Sequence, residues 1–581
     1  MTSEPSPHWR LVGRLAGGGL AAIDLTAAGE ASAETAIAEG GLPSFVAERE
    51  AQGPCRWVWS DTASIYPSLL AAGVRVERCH DLRLCHQILR NSSFVRDRTS
   101  LIDAREWDVV PDPPAEERED ASPALFEIEA EAPRRRAAPD GLRDTLGEFE
   151  RQRAAVASSS DPGRLSLLLA AESAGALVAA ELAAAGVPWD AEEHDRLLTE
   201  ALGPRPSGGE RPSRLLALAE TVRRELGDPA ASLDSQPKLL RALRAAGIEV
   251  SSTSRWELGE HEHPAIPPLL EYKRLARLLS ANGWNWLEEW VRDGRYRPVY
   301  VPGGVVTGRW ASSGGGALQI PRMLRPALRA DPGWLLISAD VSQLEPRVLA
   351  AMSGDRAMAA AGAGKDLYAG IVESGAVSTR QEAKIAVLGA MYGASTGDSG
   401  RVVPRLRRAF PAAMRLVDEA AAIGEQGGVV TTWLGRSSPP PGPRWTAVQT
   451  AASLPEATRS EEDLARRIAR DYGRFTRNFV VQGTAAEWAL AWMAELRLKL
   501  AALGPVSAAS AAPASGPVFE RRPHLAFFLH DEVIVHSPRE RADAAAEAIE
   551  AAARTAGRRL FGSAPVDFRL DLRISEQAAK D

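Results

Sequence analysis

Leu335-Leu336-Ile337-Ser338-Ala339-Asp340-Val341-Ser342-Gln343-Leu344-Glu345 opens as a buried strand and closes on acidic and amide side chains. The turn signal Asp331-Pro332-Gly333 precedes it, and Trp334 to Ile337 is a short apolar run. Arg347-Val348-Leu349-Ala350-Ala351-Met352 then has the apolar spacing of a helix. A carboxylate such as Asp340, fixed at a strand end, suits a metal site on a rigid scaffold. Capping a turn or a helix is the commoner duty of an aspartate placed there.

Two further stretches bear on that choice. Leu525 to Leu529 is apolar, His530-Asp531-Glu532 interrupts it, and Val533-Ile534-Val535 resumes it. This predicts a hairpin with acids at its tip, which is either solvated or neutralised by a cation. Asp340 and Asp531 together suit two Mg²⁺ ions and phosphoryl displacement. In Thr379 to Gly393, Thr379 and Glu382 fit a capping box. Arg380, Lys384 and Leu388 fall at i, i+4 and i+8 on one helix stripe. Its like charges repel unless an anion such as a triphosphate binds; an ordinary solvated basic edge is the alternative.

In combination these segments resemble the three polymerase motifs of family A DNA polymerases, the bacterial DNA polymerase I family. Asp340 to Asp355 is similar to the first motif, Arg380 to Gly393 to the fingers helix, and His530 to Val533 to the third motif. The resemblance covers residues from about Leu165 onward. It implies an α+β multidomain fold: a right-hand polymerase of palm, fingers and thumb behind an α/β exonuclease-like (ribonuclease H-like) domain. The implied bounds are 1–164 for the exonuclease-like domain and 165–581 for the polymerase. Within the latter, the thumb falls at about 190–300, the palm at about 301–355 and 465–581, and the fingers at about 356–464.

The resemblance also implies roles. Asp340 and Asp531, with the Val341 carbonyl, hold two Mg²⁺, for which Mn²⁺ can substitute. Arg380 and Lys384 meet the dNTP phosphates, and Lys384 protonates the leaving pyrophosphate. Gln343 and His530 contact phosphate or the primer end, Glu345 crowds the sugar 2′ position, and Tyr392 stacks near the template base. Leu388 stands where the family usually has an aromatic residue on the sugar. Arg309, in Thr307-Gly308-Arg309-Trp310, is placed at the minor groove, where correct base pairs present nearly the same acceptors. Arg474, Asn478 and Gln482 recur at i, i+4 and i+8 and, with Glu532, are implied to contact DNA. The triplet Gly314-Gly315-Gly316 and the spacing from Gln319 to Arg322 depart from the family pattern. Partners are then primer-template DNA and dNTPs, with no membrane and a monomeric protein in the bacterial cytosol or nucleoid.

The N-terminal region, to about Phe94, reads as a small α/β unit, with strands at Leu20 to Leu25 and Val74-Arg75-Val76 and a helix around Leu84 to Leu89. The exonuclease resemblance requires an early Asp-x-Glu pair. Here Asp24 is followed two residues later by Thr26, and no tyrosine lies between Tyr66 and Tyr272 to supply a Tyr-x-x-x-Asp element. Asp61 and Asp81 remain, too few for a two-metal site. The expectation is a domain without proofreading. Alternatives are a polymerase with an active 3′–5′ exonuclease, a non-catalytic DNA-binding scaffold, and a single-subunit RNA polymerase.

The remaining features are less specific. At 581 residues the chain should hold several domains. A net charge of −7 does not advertise nucleic-acid binding, although a local basic groove is enough. Cys55, Cys79 and Cys85 lack paired metal-ligand spacing and suit a reducing compartment. No uninterrupted apolar run reaches the length of a membrane span, and no signal peptide is read at the N-terminus. The Pro-rich, charged stretch 111–140, with its Arg134-Arg135-Arg136 triplet, reads as a linker. Arg401, Arg405, Arg407 and Arg408 form a basic cluster. Thr431 to Arg436 is expected as a strand, Pro439 to Pro443 as a loop, and Leu503 to Pro517 as a flexible insertion.

Overall fold

The computed structural model describes residues 8–53, 55–109, 137–316, 320–393 and 397–578. Leu318, Gln319 and most of the expected linker (110–136, including Arg134 to Arg136) lie outside the described residues, as does the Arg401 side chain. The chain forms two compact units: 1–186 with 299–314 and 332–575, and 187–298 with 315–331 and 576–581. The first unit therefore holds both the N-terminal sheet and every expected site residue.

The N-terminal sheet has five strands: β1 (Trp9–Arg14), β2 (Leu20–Leu25), β3 (Ala31–Ile37), β4 (Arg56–Trp59) and β5 (Arg78–Asp81). Their order is β3-β2-β1-β4-β5, with β1, β4 and β5 mutually parallel. Alternation sends Leu11 and Val58 into one core with Trp107 and Phe149, and Val12 and Trp57 into the other with Tyr66 and Leu177. The strand in this region is β5, Arg78–Asp81, not Val74 to Val76; Val74 N–H instead closes the end of the preceding helix on the Leu69 carbonyl.

Leu177 comes from helix Pro162–Ala185, which Asp161 caps through Arg164 N. By length and composition alone this helix could cross a membrane, yet 67% of its most apolar window is buried inside the fold, as in a core helix. Its Glu181 pairs with the buried Arg497 of helix Arg459–Ala502, and Tyr66 Oη donates to the same carboxylate at 2.8 Å. That 44-residue helix starts with a complete Thr458–Glu461 capping box.

The second sheet of the first unit runs in the order His524–Leu529, Glu532–Pro538, Trp334–Val341, Leu570–Ser575, all neighbours antiparallel. The central strand places Asp340 opposite Glu532 on one side and Asp571 on the other. Thr431 to Arg436 is a tight turn rather than a strand: Thr432 N donates to the Arg436 carbonyl at 2.8 Å. Leu503 to Pro517 is folded into short helical turns, because Val506 and Ala512 N–H groups bond the carbonyls of Arg521 and Glu520, and Ser515 is buried. Pro443 begins a helix rather than ending a loop.

The second unit contains helices Ala191–Leu202, Ser213–Leu226, Gln236–Ala245 and Ile266–Asn282, with a three-stranded sheet of two-residue strands. Trp189, His194, Trp286 and Tyr296 pack together there, and burial pulls His194 down to about 4.

Candidate functional site

The central strand and the hairpin bring the two aspartates together. Val341 N donates to the Asp531 carbonyl at 2.9 Å, extending the ladder by one bond beyond the Asp340–Glu532 pair. Asp531 sits at the hairpin tip behind His530, whose φ of +56° is left-handed for a non-glycine residue. Burial and the charge of Asp340 push Asp531 up to about 6. Glu532 differs in setting: its side chain is buried within the strand. Among the described residues no group of three or more His, Cys, Asp or Glu converges at metal-binding spacing.

Arg309 lies beside this pair, in the loop closed by Gly308 N on the Val305 carbonyl. It makes an ion pair with Glu345, and Tyr392 Oη donates to the other Glu345 oxygen at 2.6 Å. Burial, followed by the Arg309 charge, lowers His530 below its usual value. Burial and the Glu345 carboxylate raise Tyr392. Glu345 is thus held from two directions, by side chains more than thirty positions away in the sequence.

Helix Arg380–Tyr392 presents Arg380, Lys384, Leu388 and Tyr392 on one stripe. Thr379 caps it as expected, while Glu382 reaches Ser378 N instead of the Thr379 amide, so the box closes one residue early. Lys384 is exposed and makes no hydrogen bond or ion pair among the described residues. Arg380 is held: its Nη2 and Nε donate to Asp366 at 2.8 and 3.2 Å. Gln343 Nε2 donates to the same carboxylate at 3.0 Å, and Gln343 Oε1 accepts from Leu367 N. Gln343 has φ +54°. Asp366 was not expected from the sequence; its visible signal was the position before Leu367-Tyr368-Ala369, where it caps helix Leu367–Glu373.

Arg474, Asn478 and Gln482 share a stripe of the long helix, one turn apart. Arg474 pairs with Asp471 and packs on Gly393, where a Cβ would meet its Cγ at 2.8 Å. Asn478 Oδ1 is buried without a hydrogen-bond partner among the described residues. A second unexpected residue, Arg347, is fully buried and donates to four backbone carbonyls, including those of Ser342 and Asp567. It holds the turn between Asp340 and Glu345.

In the N-terminal sheet the acids already have partners. Asp24 takes two hydrogen bonds from Arg10, at 2.5 and 3.0 Å. Asp61 pairs with Arg83, and Asp81, fully buried, accepts from Thr62 N and Leu84 N.

Residues 236–578 match DNA polymerase family A. DNA polymerase I of Chloroflexus aurantiacus is 29% identical over 54% of this chain and 32% of its own length. Thermostable DNA polymerase I of Thermus aquaticus is 26% identical over 52% of the chain and 35% of its own length. The matched region thus spans about a third of these relatives. The POL domain of Pol1 from M. smegmatis, solved in complex with DNA primer-template and dNTP, shares the fold at TM-score 0.66 and 17% identity. That likeness covers 99% of this chain and 94% of the other.

Proposed function

Since the chain belongs to DNA polymerase family A, we propose that it is a DNA-directed DNA polymerase, extending a primer 3′-hydroxyl on a template with dNTPs and releasing pyrophosphate. The observation that carries this reading is the placement of Asp340 and Asp531 at one end of the second sheet, beside the Arg309–Glu345–Tyr392 cluster. Palm, fingers and thumb are proposed at the bounds given above.

The residues fit divalent cations. Asp531, whose charging is made costlier by burial and by the neighbouring Asp340 carboxylate, gains from a cation shared between the two. Mg²⁺ takes one or two protein carboxylates and leaves its other positions to water and substrate phosphates. Asp340, Asp531 and the Val341 carbonyl would hold two such ions, with Mn²⁺ as a substitute. When bound, they supply activation of the 3′-hydroxyl and neutralisation of the triphosphate.

The chain's own groups do the rest. Lys384 and Arg380 bind the triphosphate, and Lys384 gives a proton to the leaving pyrophosphate. His530 and Gln343 orient phosphate or the primer end. Glu345, braced by Arg309 and Tyr392, occupies the space a 2′-hydroxyl needs. Leu388 packs on the sugar. Asn478, whose buried oxygen has no hydrogen-bond partner among the described residues, lies with Arg474 and Gln482 along the nascent pair. The N-terminal domain is proposed to lack proofreading, because Asp24, Asp61 and Asp81 are each committed to an arginine or to backbone amides. A monomer acting in the bacterial cytosol in replication or repair completes the reading.

Primer extension with purified protein, template, dNTPs and Mg²⁺ tests it. Extension that is lost in Asp340→Ala while duplex binding persists supports the reading. Template-directed use of rNTPs in preference to dNTPs, or no extension by wild type, refutes it.

A further inference from the structure

Asp366 ties together two side chains of the candidate site, Gln343 and Arg380. Its Oδ1 accepts from Ala369 N at 2.8 Å and from Arg380 Nε at 3.2 Å. Its Oδ2 accepts from Arg380 Nη2 at 2.8 Å and Gln343 Nε2 at 3.0 Å. One carboxylate therefore engages the first cation of the fingers stripe and the amide three residues after Asp340. The Arg380 guanidinium also lies over the Tyr368 ring, 5.6 Å from its centroid, a favourable cation–π distance. One turn along the stripe, Lys384 makes no such contact among the described residues.

A guanidinium fork grips carboxylate and phosphate oxygens by the same paired donation. Arg380 is more than half exposed, so its bond to Asp366 is screened and exchangeable. Resting on the reading of this stripe as the triphosphate site, we propose that Asp366 is a positioning residue acting through Arg380 and Gln343: a resident anion that holds both donors aimed into the site and is displaced by the nucleotide's phosphates. The arrangement favours a ligand with enough charge to outcompete the carboxylate. A triphosphate meets that condition better than pyrophosphate, so Asp366 sharpens the distinction between substrate and product.

The capping duty and the latch separate chemically. Asparagine is as good an N-cap as aspartate, so Asp366→Asn keeps the Ala369 bond through its one oxygen. The amide nitrogen that replaces Oδ2 accepts from neither Arg380 Nη2 nor Gln343 Nε2, leaving Arg380 only its longer Nε bond to the retained oxygen. In Asp366→Asn the KM for dATP in primer extension is expected to fall about two- to fivefold, the scale of one exposed ion pair. The pyrophosphate inhibition constant should fall further, kcat should change less than KM, and the melting temperature should stay at the wild-type value.

In an Arg380→Ala background the same substitution should lower KM by clearly less, because only Gln343, the uncharged donor of the two, is left to be released. A KM that is unchanged or raised in Asp366→Asn overturns the proposal. So does an equal fall in the Arg380→Ala background, which would reduce Asp366 to a diffuse charge. If wild-type protein extends no primer, the polymerase reading fails first. Calorimetric titration of pyrophosphate into wild type and Asp366→Asn then tests the exchange by itself: tighter binding by the variant supports it, and equal or weaker binding ends it.

Discussion

Arg347 is where removal of a single side chain should cost most. It is fully buried in helix Leu344–Ser353. Its nitrogens donate to the carbonyls of Ser342 (2.9 Å), Gly362 (2.9 Å), Lys365 (2.8 Å) and Asp567 (2.9 Å), and to Asp567 Oδ1 (2.8 Å). Arg347→Met keeps much of the volume but orphans those carbonyls. Asp567 stays hydrated when its arginine is removed, so loss of the ion pair itself adds about 1 kcal/mol or less and the orphaned carbonyls decide the cost. A buried acceptor left unsatisfied adds about 1–3 kcal/mol where water cannot reach it. The sum is not additive, so about 4 kcal/mol is the working figure for Arg347→Met. Arg347→Lys offers three donors from one point in place of a planar five-donor fork and should recover less than half. Asp567→Asn should cost about 1 kcal/mol or less, since that side chain is 44% exposed and the carbonyls keep their donor. Urea denaturation followed by circular dichroism gives the three values. If Arg347→Met costs no more than Asp567→Asn, the arginine is not what holds the Ser342 turn.

Asp340→Ala and Asp531→Ala should each reduce primer extension below about a tenth of wild type, because a bound metal contributes several kcal/mol of charge stabilisation; duplex binding measured by anisotropy should stay within a few-fold. No 3′–5′ degradation of single-stranded or mispaired DNA is expected, and degradation that survives Asp531→Ala but disappears in Asp24→Ala would contradict the N-terminal reading. Leu388→Phe should strengthen discrimination between dATP and ATP by about 10-fold or more, the scale of a few packing contacts, whereas Glu345→Ala should raise ATP insertion sharply; an unchanged insertion ratio in Glu345→Ala removes Glu345 as the gate. Glu487 is pushed up to about 7 by burial, with Thr432, Leu434 N–H and Arg436 opposing and Glu172 adding to it. Its folded value lies above the ordinary 4.5, so its contribution is full at low pH and lost as pH rises toward 7. Glu487→Gln should therefore gain stability relative to wild type between pH 5 and pH 8, and a flat difference in melting temperature would show that Glu487 is not the group titrating.

The elements were legible where a short-range rule sufficed. Short apolar runs and turn residues located the Asp340 strand and the hairpin, and Thr379 located the start of helix Arg380–Tyr392. Failures came where long-range contacts decide. Val74-Arg75-Val76 has strand composition, but Arg75 is drawn to Glu181 and the Arg497 carbonyl, and the sheet forms later, at Arg78–Asp81. Leu503 to Pro517 has low-complexity composition, but Ala and Ser impose no conformation of their own, and bonds to Glu520 and Arg521 supply one.

The same division runs through the candidate site. Residues proposed by type and spacing, namely Asp340, Asp531 and the Arg380–Lys384 stripe, could be named from the chain alone. Those that act by holding another residue could not. Asp366 looks like one more N-cap until Arg380 and Gln343 are seen to share its oxygens. Arg347, amid apolar neighbours, looks like a flaw in a core helix until its carbonyl partners from residues 362, 365 and 567 arrive. A buried arginine is tolerated only when its donors are satisfied, so its presence in an apolar stretch was itself a signal. It announced that carbonyls must converge on that helix, without saying which. Glu345 shows the converse. Its place in the motif suggested a role, but only the fold shows that Arg309 and Tyr392 brace it; as the proposed sugar gate it would yield to a hydroxyl only by breaking two bonds.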